Sequence, residues 1–508
     1  MRIRIAAAAA LAAGLALAGT AQAASPAAQV RAWRQGHEKE IVGDFATLLA
    51  KPNVATTLAD VEANARYLQG LLEKRGFRSE LIDAAPGTPP SVFGELKTPG
   101  ATRTVTFYAH YDGQPIGQKG WISTPFEPSM RTALPEAKPV DWKAAARLDP
   151  QWRLYGRSAG DDKGTIQAFL SAFDGLKASG IKPSVNIKVL WEGEEEQGSP
   201  HFGALVKKHL ALVKGDLLIM GDGPMNQTGK QEINFGNRGI VDFVATVYGP
   251  LRPLHDGHYG SWAPSPTVMI AHLIASLRDE QGKILIPGFY DDVAPVSAAD
   301  KAALAARPDV ESILKKELAL GRNIGGPRLA DGYMQPTFNV RAIHAGDTGP
   351  QAANAIATEG EVSIDIRLVP NETPKHVQAL VEGFLAKQGW FVVHETPTPA
   401  VRGAHAKVIK LDWDPGASIA TETPMDGPAT KAVAASITRT VGYPVLKLPL
   451  SGGSSGIAEV VNQMQAPMVG VAIANYDDNQ HAQNENLKLQ ALWDGIEVYA
   501  GLIADLNW

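Results

Sequence analysis

The chain has 508 residues, of which 44% are hydrophobic and 20% charged, a composition typical of globular proteins with large apolar cores. It contains no cysteine, which excludes disulfide bonds, thiolate metal ligands, iron–sulfur clusters and a cysteine nucleophile. The formal net charge of −5 shows no basic excess and argues against a nucleic-acid partner. Metal or acid–base chemistry therefore has to come from the 12 histidines and the carboxylates.

Residues 1–23 have the pattern of a secretory signal peptide. Arg2 and Arg4 precede an apolar run at 5–18, and a small-x-small cleavage motif follows at 21–23. The run is too short for a convincing membrane span. We therefore expect cleavage after residue 23 and an exported protein, periplasmic or secreted, with no membrane segment in its mature form. An uncleaved anchor is the alternative.

Strand-like and helix-like segments alternate from residue 57 to residue 220. Short strands separated by helices of this kind predict a doubly wound, mostly parallel α/β sheet, whose ligands bind beyond the carboxyl ends of the strands. The predicted helices are 57–75, 164–176 and 202–213, and the predicted strands are 92–96, 104–109, 185–191 and 217–220.

The pattern changes after residue 237 to the order β-α-β-β-α-β, which is typical of a ferredoxin-like α+β domain. We therefore predict a catalytic domain formed by 24–236 and 409–508, with a second domain, 237–408, inserted into it. The inserted elements are strand 240–248, helix 266–278, strands 337–342 and 361–368, a helix after Pro374 and strand 390–394; helix 429–440, strand 445–448, a helix after Ser455, strand 469–474 and helix 487–506 follow.

His110 and Asp112 follow the predicted strand 104–109 directly. If the chain stays extended there, both side chains point to one face, so His110 could bind a metal while Asp112 orients its ring. A structural histidine is the alternative interpretation of such an isolated pair.

Further carboxylates and a second histidine occur near the expected carboxyl edge of the same sheet. Asp161 precedes a helix, where it could simply cap the helix or else be shared between two cations. Glu196 belongs to the acidic run 192–196, which follows an apolar strand and would repel itself without a cation. Asp222 and His481 follow two other strands. This mixture of imidazole and carboxylate suits Zn²⁺, Co²⁺ or Mn²⁺ better than Ca²⁺ or Mg²⁺.

These segments resemble the motifs of a known family over nearly the whole mature chain. The family is peptidase family M20, dinuclear zinc metallopeptidases that include carnosine dipeptidases, aminoacylase-type enzymes and glutamate carboxypeptidases. The matching segments are His-Tyr-Asp-Gly-Gln-Pro at 110–115, the segment 155–164, Glu-Glu-Glu-Gln-Gly-Ser at 194–199 and His-Ala-Gln-Asn-Glu at 481–485.

The resemblance implies two divalent metal ions per chain, with Zn²⁺ expected and Mn²⁺ or Co²⁺ as alternatives. It makes Asp161 the bridging ligand, with His110 and Asp222 completing one metal site and Glu196 and His481 the other. The general base would then be Glu195, and the peptide bond that follows Asp161 is expected to be cis.

The inserted domain resembles the family's lid, which also forms the dimer. By this resemblance His255 would stabilise the oxyanion in the partner's active site, and the chain would be a homodimer through the lid. Asn354, Arg367 and Ser454 match positions that contact substrate. Arg367 could instead form an ordinary ion pair at a strand end.

The chain departs from the family pattern at two places. Leu450 and Ser451 precede the glycines of the 452–456 loop, where many relatives carry a charged residue. The resemblance therefore does not predict how this chain recognises the end of the substrate that this loop contacts. The segment 132–150 is longer than its counterpart and contains three prolines, and its role is not predicted.

Two alternative functions remain to be compared with this one. Gly-x-Ser-x-Gly at 452–456 has the form of a nucleophile elbow, with Ser454 followed by Asp477 or Asp478 and His481. An aspartate so close to that histidine in one loop would have difficulty orienting it. The other alternative is a non-catalytic binding protein of the same fold, which the presence of every ligand and of Glu195 argues against.

The sequence therefore predicts an exported metallohydrolase. Its substrate would be a dipeptide, a short peptide or an N-acyl amino acid. Water activated by two metal ions would attack the amide bond, with Glu195 as general base.

Overall fold

The structure is a computed structural model that describes residues 24–117 and 119–508. The predicted signal peptide, 1–23, lies outside the described residues. Within the described part of the chain, no helix combines the length and the apolar character needed to cross a membrane.

The catalytic domain is formed by two separate stretches of the chain. The first contains α1 (Pro26–Leu49), α2 (Leu58–Lys74), β1 (Arg78–Ile82), β2 (Ser91–Leu96), β3 (Thr104–His110), β4 (Ser129–Arg131), β5 (Arg153–Tyr155), α3 (Lys163–Ala178), β6 (Asn186–Glu192), α4 (Phe202–Lys208), α5 (Leu210–Val213), β7 (Leu217–Met220) and β8 (Glu232–Asn234). The lid comes next: β9 (Gly239–Tyr248), β10 (Leu254–His255), α6 (Asp256–Tyr259), α7 (Pro266–Leu277), α8 (Ala298–Ala305), α9 (Glu311–Glu317), β11 (Thr337–His344), β12 (Ala355–Ile356), β13 (Glu359–Leu368), α10 (Pro374–Lys387), β14 (Phe391–Val393), α11 (Pro399–Ala404) and β15 (Val408–Trp413). The second catalytic stretch has α12 (Pro428–Val441), β16 (Leu446–Leu448), α13 (Ile457–Met464), β17 (Met468–Gly470), β18 (Asn486–Lys488) and α14 (Leu489–Ala504).

The main sheet of the catalytic domain has eight strands in the order β1-β2-β6-β3-β7-β17-β8-β16. The four central strands β6, β3, β7 and β17 are parallel, which confirms the predicted parallel core. Antiparallel pairing occurs toward the edges, between β1 and β2, β2 and β6, and β17 and β8. The central strands therefore end at one edge, where their loops carry the predicted site residues.

Both faces of this sheet are covered, as the alternation of buried side chains along the strands requires. Phe107 of β3 belongs to the cluster beneath α1, α3 and α14, together with Phe169 and Trp493. Tyr108, the next residue, packs on the opposite face against Phe202 of α4. The apolar runs that predicted buried central strands thus form two cores, one on each side of the sheet.

The lid contains a five-stranded sheet in the order β11-β13-β9-β15-β14, packed against α7 and α10. This is the ferredoxin-like arrangement, but its fourth strand is β15, which pairs antiparallel with β9. The predicted fourth strand, 390–394, corresponds to β14, an additional strand parallel to β15 at the edge. Because β15 buries Ile409 and Leu411 in the lid core, the lid extends past the predicted boundary at residue 408.

The proline-containing segment 132–150 packs on the outside of the catalytic domain. Val140 and Trp142 contact the core that contains α1, and the Lys39 ammonium donates a hydrogen bond to the Lys143 carbonyl at 2.8 Å. A smaller sheet, β18-β5-β4, contacts this segment, because the Val140 N–H donates to the Met130 carbonyl of β4 at 2.9 Å. The segment therefore supports α1 and is not among the residues that line the cavity described below.

Candidate metal centre and active site

His110 is the last residue of β3, and Asp112 lies two residues beyond it; both side chains are completely buried. The Asp112 carboxylate lies 3.3 Å from His110 Nδ1. It also accepts hydrogen bonds from the backbone N–H groups of Glu195 (3.1 Å) and Glu196 (3.0 Å). Asp112 therefore both orients the imidazole and fixes the start of the acidic loop after β6, which is more than the sequence predicted for it.

Asp161 lies in the loop that leads into α3, and its peptide bond to Asp162 is cis as expected. One carboxylate oxygen, Oδ1, is 2.8 Å from His110 Nε2, while Oδ2 is 3.2 Å from His481 Nε2. The side chain thus lies between the two histidines. This is the position that a carboxylate shared by two cations requires.

The other predicted ligands complete two groups of donor atoms. His110, Glu195 and Asp222 form one group, and Asp161, Glu196 and His481 form the other. Within each group the donor atoms lie within 4.8 Å of one another.

The crowding of carboxylates changes their acidity. Burial and the charge of Asp161 raise the pKa of Asp222 to about 7. Burial and the charge of Asp222 raise the pKa of Glu195 well above its ordinary value. Burial also acts to raise the pKa of Asp161, but the hydrogen bonds from His110 and His481 outweigh it and lower that pKa. Like charges held this closely call for cations among them.

The donor set fits two divalent metal ions of the zinc type. Each group offers one imidazole and two carboxylates, which are the nitrogen and oxygen ligands of catalytic Zn²⁺ sites, and Asp161 lies close to both groups. The chain has no cysteine to add a thiolate. The predicted metal residues therefore converge on one place, although they come from five separate segments of the chain.

A cavity of about 640 Å³ opens beside these residues and is lined by both domains. Arg367 of β13 lines it, and its Nε lies 3.0 Å from Asp365, so the ion pair given as the alternative is present, and the substrate contact stays a prediction. The 452–456 loop forms another wall, where the Arg238 guanidinium donates to the Gly452 carbonyl at 2.7 and 3.0 Å. The cavity can hold a small molecule in contact with the metal-binding side chains.

Ser454 lines the same cavity, but its surroundings do not suit a nucleophile. Its hydroxyl donates to the Gly239 carbonyl at 3.0 Å. The proposed base His481 instead has Nε2 3.2 Å from both Asp161 and Glu196. The serine hydrolase alternative is therefore not supported by the geometry, and Ser454 remains a candidate for substrate contact.

His255 and Asn354 lie away from this cavity, on the short paired strands β10 and β12 and the turn before β12. The His255 side chain is 55% exposed, and its Nδ1 accepts a hydrogen bond from the Gly257 N–H at 3.1 Å. The same N–H also donates to Asp256 Oδ1 at 2.7 Å. Within one chain the structure does not bring these two residues to the site, so their predicted roles need a second subunit.

Several side chains that the sequence did not single out support the ligands. Gln480 donates to Asp161 Oδ2 at 2.6 Å, and Gln114 donates to Glu196 Oε2 at 2.8 Å. Glu485 accepts the backbone N–H of Asp161 at 3.0 Å. Each lies inside or next to a metal motif, but the contact joins distant parts of the chain and left no local signal.

Comparison with known proteins identifies the family. The family model described as Peptidase family M20/M25/M40 matches residues 106–505. The Cys-Gly metallodipeptidase dug1 of Schizosaccharomyces pombe is 28% identical over 351 residues, which are 67% of this chain and 70% of that protein. The Beta-Ala-His dipeptidase of Mus musculus is 26% identical over 435 residues, covering 82% of this chain and 80% of that protein.

Solved structures agree with these sequence relatives. The metallo-carboxypeptidase Sso-CP2 from Sulfolobus solfataricus matches with a TM-score of 0.74 and 26% identity, covering 92% of this chain and 99% of that chain. The family resemblance inferred from the motifs is thus confirmed. Since the family model spans most of the chain, the protein belongs to peptidase family M20/M25/M40 and is a metallopeptidase.

Proposed function

We propose that the protein hydrolyses the amide bond of a dipeptide, a short peptide or an N-acyl amino acid at a dinuclear metal site. The observation that carries this proposal is the pair of donor groups on either side of Asp161, at the wall of a cavity that both domains line. The relatives named as Cys-Gly and Beta-Ala-His dipeptidases favour dipeptides among these substrates.

Two divalent cations, Zn²⁺ in our proposal and Mn²⁺ or Co²⁺ as alternatives, supply Lewis acidity and lower the pKa of water when bound. His110 and Asp222 would hold one, Glu196 and His481 the other, and Asp161 both. Glu195 takes the proton of the attacking water and returns it to the leaving amine. Asp112 keeps Glu195 in place through the backbone hydrogen bond at 3.1 Å.

The remaining site residues would bind substrate and stabilise the oxyanion. Arg367 lines the cavity with a side chain that is 26% exposed, which suits it to a substrate carboxylate, and Ser454 lines the same cavity from the 452–456 loop. His255 and Asn354 would act in the partner's active site, with the His255 imidazole donating a hydrogen bond to the oxyanion. This arrangement requires a homodimer formed through the lid.

We further propose that the protein is exported to the periplasm or secreted, with residues 1–23 removed. The signal-peptide pattern of these residues carries this part of the proposal. Mass spectrometry of the protein recovered from cell fractions tests it. Recovery from the cytoplasm with residue 1 intact would contradict it.

A substrate screen on metal-loaded protein tests the activity. Zinc-loaded and manganese-loaded enzyme should cleave members of a panel of dipeptides and N-acyl amino acids, and exhaustive chelation should abolish the cleavage. A fluorophosphonate that reacts with serine nucleophiles should leave the rate unchanged. Activity that survives chelation but disappears when the fluorophosphonate labels Ser454 would reject the metal mechanism.

A further inference from the structure

The loops that carry Asp161 and His481 are joined by one buried carboxylate, that of Glu485. Glu485 follows His481 in the same loop, directly before β18, and is only 1% exposed. Glu485 is not one of the proposed metal ligands, so the proposed function gives it no role. Its contacts indicate one.

Glu485 accepts four hydrogen bonds from the short segment that precedes and includes Asp161. Its Oε1 accepts the backbone N–H groups of Gly160 and Asp161, both at 3.0 Å. Its Oε2 accepts the N–H of Ser158 and a guanidinium N–H of Arg157, both at 2.9 Å. A cluster of backbone N–H groups around a carboxylate forms a small anion-binding nest, here filled by a side chain of the same protein.

The backbone adds to this connection. β18 pairs with β5, and the Glu485 carbonyl accepts the Gly156 N–H at 3.0 Å. A side chain at Gly160 would come within 2.5 Å of Asp478, so the two loops also touch where glycine leaves room. The separation of 3.2 Å between Asp161 Oδ2 and His481 Nε2 thus depends on the contacts between these loops.

We propose that Glu485 is a positioning residue that holds the carboxylate of Asp161 and the imidazole of His481 where both reach the same cation. The inference rests on the dinuclear site of the proposed function. A glutamine at 485 keeps the size of the side chain but presents an NH₂ group to N–H donors. Some of the four hydrogen bonds are then lost, and the segment that carries Asp161 has to shift.

Titration of the metal-free protein with Co²⁺, followed by visible absorption, tests this role. The unaltered protein should bind two Co²⁺. In Glu485→Gln the affinity for the ion held by Asp161 and His481 should fall about 10–100-fold, as is typical when a residue that orients ligands is changed. The absorption bands of that ion should also shift. If Glu485→Gln does not fold, Arg157→Met removes one of the four donors and should give a smaller loss in the same direction.

Glu497→Gln provides a matched control. Glu497 is also a buried glutamate paired with arginine, with Arg31 at 2.6 Å and Arg34 at 3.4 Å, but it lies on α14 away from the ligands. This variant should lose thermal stability and keep both Co²⁺ affinities and the spectrum.

The inference is overturned if Glu485→Gln binds both Co²⁺ ions with unaltered affinity and spectrum and loses only stability, as the control does. One other outcome of the titration bears on the proposed function and not on Glu485. If the unaltered protein itself fails to bind two Co²⁺, the dinuclear site of the proposed function is wrong.

Discussion

Glu195 combines a fixed backbone with a side chain placed among metal donors. Its N–H is held by Asp112, and its carboxylate lies in one group with His110 and Asp222. Replacing Glu195 by alanine removes the group that would carry the proton. It leaves Asp161 and the predicted ligands Glu196 and His481 in place. We therefore expect Glu195→Ala to lower kcat by about 10²–10⁴-fold, the usual contribution of a general base.

Steady-state kinetics together with metal analysis checks this expectation. The metal content of Glu195→Ala should stay near two ions per chain. Appreciable residual turnover would reject Glu195 as the base.

Asp222 makes the stability of the metal-free protein depend on pH. Its folded-state pKa of about 7 lies above the value of about 3.9 in an unfolded chain, so the folded protein binds more protons between these values. The corresponding stabilisation is fully present below about pH 4 and is lost as the pH rises to about 7. In the metal-free protein, the Asp222→Asn variant should therefore lose less stability than the unaltered protein as the pH rises over this range.

With Zn²⁺ bound the sign should reverse, because metal binding requires deprotonated ligands and becomes stronger as the pH rises through the same window. Thermal unfolding across this range, in chelator and in excess Zn²⁺, measures both effects. Equal pH dependence of the unaltered protein and Asp222→Asn in chelator would contradict the assignment.

The positions of the predicted ligands were recognisable one by one, because each follows an apolar strand or precedes a helix, whereas their division between two metal ions came from the family resemblance. Asp222 lies two residues beyond the end of β7, and His110 ends β3. The supporting contacts were not predictable from the sequence, because Gln480 reaches Asp161 and Gln114 reaches Glu196 only in the folded protein. No periodicity or composition within one segment records such a contact.

At the scale of elements, the lid shows a case in which sequence patterns do not determine which strands pair. Both β14 and β15 are short apolar segments, and either could be the fourth strand of a ferredoxin-like sheet. The choice depends on which one pairs with β9, and β15 does so with Ile409 and Leu411 buried beneath the helices. The sequence pattern identified β14 but not β15 as a strand, because the choice between the two segments depends on tertiary packing.

The segment 132–150 gives a prediction at the same scale. Trp142 packs toward α1, where a Cβ added at Gly43 would lie 3.7 Å from its ring. Trp142→Ala should reduce the free energy of unfolding by about 1–3 kcal/mol, less than for a fully buried tryptophan because the ring is only partly buried. Since the segment lies outside the cavity, kcat and KM should not change.

Urea unfolding and steady-state kinetics on the same preparations separate the two effects. A changed KM with unchanged stability would mean that this segment reaches the substrate.

At the scale of the whole molecule, the proposed role of His255 links activity to assembly. His255→Ala and Glu195→Ala homodimers should both be nearly inactive, because each site lacks one essential group. In a mixed dimer, one site regains its own Glu195 and receives His255 from the other subunit. Co-expression of the two variants in equal amounts should therefore restore about a quarter of the unaltered activity.

Light scattering on each preparation confirms the subunit number. A monomer with full activity, or mixtures that remain inactive, would remove His255 from the partner's site.

The position of β17 between β7 and β8 has a consequence for the order of folding. The strands β7 and β8 precede the lid in the chain and β17 follows it, so the main sheet closes only after the lid has been synthesised. Contacts between such distant segments form slowly. In the proposed dinuclear site, His481, which lies beyond β17, is the last ligand to be synthesised, so a nascent or truncated chain would have no complete metal site and no premature peptidase activity.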